Sequence, residues 1–303
     1  MVPFRTESRV DEFDFGPAHF IAGDNGGRYP FCHSLYIEGK RRIIIDPSSN
    51  EGRLVALRDG PGLDEVWLSH YHEDHFLFLG LFAKQPLAMS PADAPALESM
   101  KNFLDYYDMV DQGDRTAWEE IMNSYFSFRP RKADRLLCGD EIVDLGGVTV
   151  EVLHTPGHTA GHLSFFVREP GVLFIGDYDL SPFPYYGDRD SDIDRTIDSI
   201  GRLRTIPARV WISPHDRGIY REDPGDRWDR FLAVIEEREA RLLDLLTEPR
   251  TMGDIVEARI VYKKAREPKL FYDFGEMCTM RKHLARLMDR GMVTQEGDYY
   301  RLT

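Results

Sequence analysis

Only three cysteines, Cys32, Cys138 and Cys278, occur in 303 residues, and none forms a CxxC pair. That argues against a disulfide framework and against a thiolate metal site. No apolar run approaches the ~20 residues needed to cross a bilayer. The stretch Met1 to Glu7 lacks the apolar core of a secretory leader, so the cytoplasm is the expected compartment. Basic residues are also in deficit: 38 Lys+Arg stand against 52 Asp+Glu, a formal charge of −14. The deficit is uneven. Residues 229–303 carry 14 of each sign, leaving 24 basic against 38 acidic residues in 1–228. Such a surface repels a phosphate backbone at long range, which disfavours nucleic acid as a partner. Hydrophobic content of 42% and charged content of 30% are those of a globular chain with one large domain or two.

What the chain does have is concentrated at His70-Tyr71-His72-Glu73-Asp74-His75. The run follows Asp64 to Ser69, which reads as a short buried strand, and precedes the apolar run Phe76 to Phe82, which reads as a helix start. A strand-to-loop-to-helix step can hold several polar side chains convergent on a rigid scaffold. His70 and His72 can face one centre while Asp74 and His75 turn toward a second. A lone histidine here would be an ordinary solvated loop residue. Three histidines and an aspartate so close together repel on protonation, and a cation relieves that repulsion.

Three further strands end in the same kind of residue. Val148 to Leu153 leads into His154-Thr155-Pro156-Gly157-His158-Thr159-Ala160-Gly161-His162, Val172 to Ile175 into Gly176-Asp177, and Val210 to Ile212 into Ser213-Pro214-His215. Four strands thus deliver His or Asp at their C-terminal ends. The HxHxDH run, the GHT histidine, the GD pair and the late histidine, in this order over roughly residues 13–220, resemble the metallo-β-lactamase-fold hydrolase superfamily.

The resemblance implies an αββα sandwich, with two mixed sheets back to back, helices outside, and metals at one edge. His70, His72 and His158 would hold one divalent ion. Asp74, His75 and His215 would hold the other, with Asp177 bridging both. Zinc is the expected metal, with iron and manganese as alternatives, since histidine–carboxylate sites accept all three. A metal-bridging hydroxide would serve as nucleophile. Asp74 and Asp177 are the catalytic candidates, Asp74 orienting the hydroxide and accepting its proton. Two cations offset by two carboxylates and a hydroxide leave about one positive charge, so an anionic substrate group can be accepted despite the acidic surface. His154 and His162 flank a ligand and read as supporting residues. Asp46 is a candidate buried acid ordering the ligands, although Pro47-Ser48 follows it where many members have a small residue and glycine.

Residues 86–135 interrupt this pattern. Glu98 to Tyr107 and Thr116 to Phe126 have helical spacing and carry Phe103, Tyr106, Tyr107, Trp118, Tyr125 and Phe126, a stripe that either packs on the sandwich or lids the metals. The loop Tyr178 to Asp188 leaves Asp177 directly, making Tyr185 and Tyr186 candidate substrate contacts, and a helix is expected from Ser191 to Leu203. The catalytic domain is expected to span 1–228. Residues 229–303 read as a separate winged-helix-like α+β module, with helices from Trp228 to Leu246, after a Thr251 cap, and from Glu276 to Asp289, then a hairpin through Gly297.

The expected function is a binuclear metallo-hydrolase acting on a small-molecule ester, thioester or lactone. A metal-dependent endoribonuclease or phosphodiesterase is the alternative, because a C-terminal winged helix occurs in a ribonuclease-containing branch of the superfamily; Arg281, Lys282, Arg286 and Arg290 would form its basic face. A mono-iron sulfur dioxygenase ranks third. His72, where the flavin-linked diiron reductases usually carry glutamate, argues against that class. A homodimer is compatible with the C-terminal module.

Overall fold

Isoleucines 43, 44 and 45 show how the chain builds layers. Side chains alternate faces along a strand, and in this run Ile43 and Ile45 join the core between the two sheets while Ile44 joins the core under the outer helices. A strand buried on both faces loses the polar alternation of a half-exposed one. The computed structural model describes residues 12–303, so the leader stretch considered above lies outside the described residues.

One sheet has seven strands in chain order: β1 (Glu12–Phe15), β2 (Ala18–Ile21), β3 (Ser34–Glu38), β4 (Arg42–Ile45), β5 (Glu65–Trp67), β6 (Leu87–Met89) and β7 (Arg135–Leu136). Pairing is antiparallel from β1 to β4 and parallel from β4 to β7. The second sheet contains β8 (Ile142–Asp144), β9 (Thr149–His154), β10 (Leu163–Val167), β11 (Val172–Phe174), β12 (Val210–Ile212) and β13 (Ile219–Tyr220), with only β11 and β12 parallel. Trp67, Val152, Phe165, Phe174 and Ile212 fill the space between the sheets. On the far side of the second sheet, Leu173 and Trp211 meet Ile200 and Leu203 of the helix Ile193–Leu203. The result is the four-layer αββα sandwich, with the ends of β4, β5, β9, β11 and β12 at one rim.

The insertion forms the helices Met100–Tyr106 and Gln112–Ser124. Phe103, Trp118 and Met122 pack with Ile44, Leu54 and Val66 against the outer face of the first sheet. The helix Asp226–Leu245 runs unbroken through the expected seam at 228/229. Its first half places Trp228 and Phe231 on the sandwich, and its end places Leu242 against Ile255 and Leu284 of the C-terminal segment. That segment adds the helices Met252–Glu257, capped by Thr251 and Asp254, and Lys269–Asp289, with a small sheet of β14 (Arg250–Thr251), β15 (Val293–Glu296) and β16 (Tyr299–Leu302). Phe274 and Cys278 of the long helix belong to the same apolar cluster as the insertion. No helix among the described residues is long and apolar enough to cross a membrane.

Candidate metal centre and cavity

The short helix Glu73–Phe76 starts two residues after the β5 edge loop passes His70 and Tyr71, which turns Asp74 and His75 away from His72. Residues from the ends of β9, β11 and β12 then close on this turn. Two groups result, His70, His72, His158 and Asp177 in one and Asp74, His75 and His215 in the other. In the first, His158 Nε2 lies 3.2 Å from His70 Nε2, 3.0 Å from His72 Nδ1 and 3.3 Å from Asp177 Oδ2. In the second, His215 Nε2 lies 3.2 Å from His75 Nε2 and 3.6 Å from Asp74 Oδ2. Asp177 reaches both, its Oδ1 standing 3.0 Å from His75 Nε2 and 3.5 Å from His215 Nε2.

The hydrogen bonds behind the rings decide which nitrogen faces inward. His158 Nδ1 meets Tyr185 O at 2.8 Å, His215 Nδ1 meets Gly27 O at 2.6 Å, His75 Nδ1 meets Asp46 Oδ2 at 2.8 Å and His72 Nε2 meets Asp188 Oδ2 at 2.7 Å. These acceptors cannot donate, so the facing ring nitrogens carry N–H and the opposite nitrogens present lone pairs to the centre. For His70 the logic passes through Ser69, whose hydroxyl donates to Asp46 Oδ2 at 2.7 Å and therefore accepts from His70 Nδ1 at 2.9 Å. Five lone pairs converge, with no proton between them to make the 3.0–3.2 Å nitrogen contacts attractive. Asp177 Oδ1 is also buried without a hydrogen-bond partner among the described residues. Donors around a tetrahedral ion bound at 2.0–2.1 Å stand about 3.3–3.4 Å apart. The side chains present fit two such ions.

Those lone pairs belong to the neutral rings that metal binding requires, and without an ion the rings differ. Burial pushes His158 down to about 4. Burial also opposes charge on His72 and His215, but Asp188 beside the first and Asp177 beside the second pull each up to about 9, so without an ion these two rings hold a proton that an arriving cation displaces. Asp177 lies far below the ordinary carboxylate range; burial opposes its charge, and the surrounding histidines outweigh that. Asp177 therefore stands beside positive charge whether a proton or an ion supplies it.

Other sequence candidates occupy distinct places. Asp46 is fully buried and also accepts the Ser69 amide at 2.8 Å. His162 Nε2 accepts the Asp177 amide at 3.0 Å, and His154 Nε2 contacts Ala160 O at 2.9 Å, so neither ring faces the centre. Gly176 has φ +60°, and a Cβ there would stand 2.2 Å from His162 Nε2, which explains glycine before the bridging aspartate. Of the two loop tyrosines, only Tyr185 borders the cavity above the two histidine–aspartate groups. Tyr186, expected as a substrate contact, is instead 0% exposed, with its hydroxyl 3.0 Å from His283 Nε2 and 2.9 Å from Arg238 Nη1. Consecutive residues of an extended loop face opposite ways, and the C-terminal helices capture the second.

The cavity measures about 500 Å³, and His72, Asp74, His158, Asp177 and His215 form its floor. Tyr107 and Trp118 of the insertion contribute one wall, so the stripe both packs and borders the site. Tyr262, Phe271 and Tyr272 of the C-terminal segment contribute another. Sequence reasoning missed this wall, and also Glu73, Tyr29 and Asp188. Glu73 lay inside the motif itself. Asp188 closed the loop that leaves Asp177. The C-terminal wall had no local signal. A larger cavity of about 750 Å³, bordered by Phe20, Arg217, Arg221 and Arg227, contains none of the metal-site residues.

Four basic residues at the end of the helix Lys269–Asp289 and just beyond it are engaged within the chain. Arg281 Nη1 reaches Asp108 at 3.4 Å, Lys282 Nζ donates to Arg189 O at 2.7 Å, Arg286 bonds Glu239 at 2.6 Å and Asp194 at 2.9 Å, and Arg290 bonds Asp194 at 3.3 Å. Nearby, Arg238 is buried and donates to Pro184 O at 2.6 Å, pinning the loop whose Tyr185 carbonyl holds His158.

A four-layer sandwich with two groups of histidine and aspartate side chains at one rim, under a cavity, defines a metal-dependent class of protein. The metallo-beta-lactamase superfamily model matches residues 28–215, and the chain belongs to that superfamily. The chain is 26% identical over 147 residues to the lactamase-like protein nscB of Trichophyton equinum, covering 48% of this chain and 41% of that protein. It is 24% identical over 245 residues to the atrochrysone carboxyl ACP thioesterase of Passalora fulva, covering 77% of this chain and 62% of that one. The chain therefore spans between two fifths and two thirds of these relatives. Among solved structures, a beta-lactamase domain protein from Burkholderia ambifaria superposes with a TM-score of 0.71 at 18% identity, over 99% of this chain and 96% of that one. A metallo-beta-lactamase family protein from Thermus thermophilus gives 0.66 at 21% identity, over 90% and 94%. These two likenesses concern the fold, and the first extends over the C-terminal segment.

Proposed function

We propose that this metallo-hydrolase cleaves a small-molecule acyl compound, a thioester first and an ester or lactone next, with two divalent ions held by His70, His72, His158, Asp74, His75, His215 and Asp177. The observation that carries the reading is the seven-residue rim at the floor of an aromatic-walled cavity of about 500 Å³, a volume suited to a compact acyl group. A relative named as a thioesterase supports the choice of thioester. When bound, such ions lower the pKa of water and polarise an acyl oxygen.

The chain's own residues do the rest. Asp177 spans the two groups and fixes their separation. Asp74 borders the cavity 3.6 Å from His215 and is the group placed to take the proton released as water adds to the carbonyl. Hydrolysis forms one C–O bond, breaks the C–S bond and leaves a carboxylate and a thiol; one proton of the water ends on the sulfur and the other is released to solvent. The aromatic walls exclude bulk water from the acyl group. We read residues 229–303 as a winged-helix-like module that completes this cavity, because Tyr262, Phe271 and Tyr272 border it and Arg281, Arg286 and Arg290 bond Asp108, Asp194 and Glu239 within the chain.

Elemental analysis paired with a substrate screen tests the reading. Thioesters, lactones, bis-p-nitrophenyl phosphate and short RNA are offered to metal-replete protein. Turnover of acyl substrates that disappears in H158A and D177A is expected. RNA or phosphodiester cleavage without acyl turnover would replace it with the nuclease alternative, and oxygen consumption with a single iron would replace both.

A further inference from the structure

Glu73 sits between two metal-site residues yet belongs to neither metal group. It is 3% exposed, and its carboxylate accepts two phenols, Tyr29 OH at 2.9 Å and Tyr107 OH at 2.5 Å. All three residues border the cavity. A phenol has a single proton. With that proton given to Glu73, each hydroxyl oxygen has only acceptor capacity left for a ligand. The rings around them pack on one another and give the cavity an aromatic wall: Tyr107 stacks on Trp118 at 6.1 Å with planes 23° apart, and Phe271 lies 5.6 Å from Trp118 and 5.4 Å from Tyr29.

We propose that the cavity selects an acyl group built on a flat aromatic ring that carries hydrogen-bond donors such as phenolic hydroxyls, and that Glu73 sets this preference by aiming Tyr29 and Tyr107. The inference rests on the acyl-hydrolase reading above and adds the class of acyl group. A planar ring finds offset or edge contacts with this aromatic wall and loses little internal freedom against it. A flexible alkyl chain loses rotamer freedom in the same cavity. An unsubstituted ring makes the same contacts but covers the two phenol oxygens without giving them a donor, and covering a polar group without a partner is unfavourable. Glu73 is a specificity-determining residue on this account, acting through the two tyrosines.

The test compares the S-(3,5-dihydroxybenzoyl), S-benzoyl and S-hexanoyl thioesters of N-acetylcysteamine. The expected kcat/KM order is dihydroxybenzoyl, benzoyl, hexanoyl, with the first exceeding the second by about tenfold, the effect of two neutral hydrogen bonds. Tyr29→Phe should shrink that ratio about threefold, the share of one such bond. Glu73→Gln, which frees one phenol proton, should also shrink it. The ratio is read within a single preparation, so partial loss of metal cancels. A wild-type ratio at or below one, or a ratio moved by neither variant, overturns the inference while leaving acyl hydrolysis standing. If no thioester turns over, the thioester preference falls instead. Calorimetric binding of ethyl 3,5-dihydroxybenzoate against ethyl benzoate then decides the inference, tighter binding of the former supporting it and equal binding overturning it.

Discussion

Replacing Asp46 by asparagine should weaken one metal site far more than the other. Asp46 is fully buried and accepts three hydrogen bonds, from the Ser69 amide at 2.8 Å, the Ser69 hydroxyl at 2.7 Å and His75 Nδ1 at 2.8 Å. Asparagine keeps one oxygen for the amide but turns an NH₂ toward two donors. The two facing bonds are charge-assisted, and each is worth about 1.5–3 kcal/mol in the native protein. Ser69 can rotate to accept from the new amide while still accepting from His70 Nδ1, which recovers part of the loss but leaves its own proton without the acceptor that Asp46 gave it. The residue that cannot rewire is His75. Loss of an orienting partner behind a metal-bound histidine typically lowers affinity by about 10–100-fold, or about 1.4–2.8 kcal/mol. That loss should fall on the Asp74, His75 and His215 group. Asp188→Asn supplies the converse, since Asp188 holds His72 Nε2 at 2.7 Å and Tyr71 OH at 2.5 Å behind the other group. Competitive zinc titration with a chromophoric chelator resolves two affinities per chain. D46N should depress one of them, D188N the other, and the double variant both. Identical profiles for the two single variants, or affinities within twofold of wild type, would refute the orienting logic.

Two further outcomes follow from the packing around the site. Gly176→Ala places a methyl 2.2 Å from His162 Nε2, the acceptor of the Asp177 amide; stability measured by denaturant should drop by about 1–3 kcal/mol, the usual penalty for overpacking, and metal content should drop with it. Glu239 is held below its ordinary value, because bonds from His283 and Arg286 outweigh the opposing effect of burial. A depressed carboxylate binds fewer protons folded than unfolded, so its stabilisation is present above the unfolded value near ~4.3 and fades as pH falls through the folded one. Glu239→Gln should therefore lower Tm at pH 7 and make little difference in acid; a gap that stays constant down to the acid limit would contradict the assignment.

The rim was legible in sequence because it is assembled from local events repeated at strand ends. His70 to His75, His158, Asp177 and His215 each follow an apolar run short enough to be a strand, and β5, β9, β11 and β12 are found where those runs lie. The Ile43-Ile44-Ile45 run has the unalternating pattern of a strand covered on both faces, and β4 is such a strand. Element ends were harder. The helix expected from Thr116 begins at Gln112, because Asp111 caps it by accepting from the Gly113 and Asp114 amides, and the helix expected from Glu276 begins at Lys269. What was not legible depends on contacts distant in sequence. Asp188 meets His72 across 116 positions, and nothing local to Phe271 or Tyr272 predicts that they border a cavity floored by His72 and His215. Glu73 was visible but mute, since a carboxylate inside a ligand motif acquires its meaning from Tyr29 and Tyr107. The arginines read from sequence as a basic face of the C-terminal segment bond to acidic partners within the chain, which their spacing alone does not reveal.

Metal stoichiometry reaches the central claim most directly. Protein reconstituted with zinc, passed through a desalting column and digested for elemental analysis should contain two ions per chain. Replacing His158 or His215 by alanine should remove one ion each, and Asp177→Ala should disturb both. A wild-type content near zero, or variants that keep the wild-type number, would contradict the account at its root.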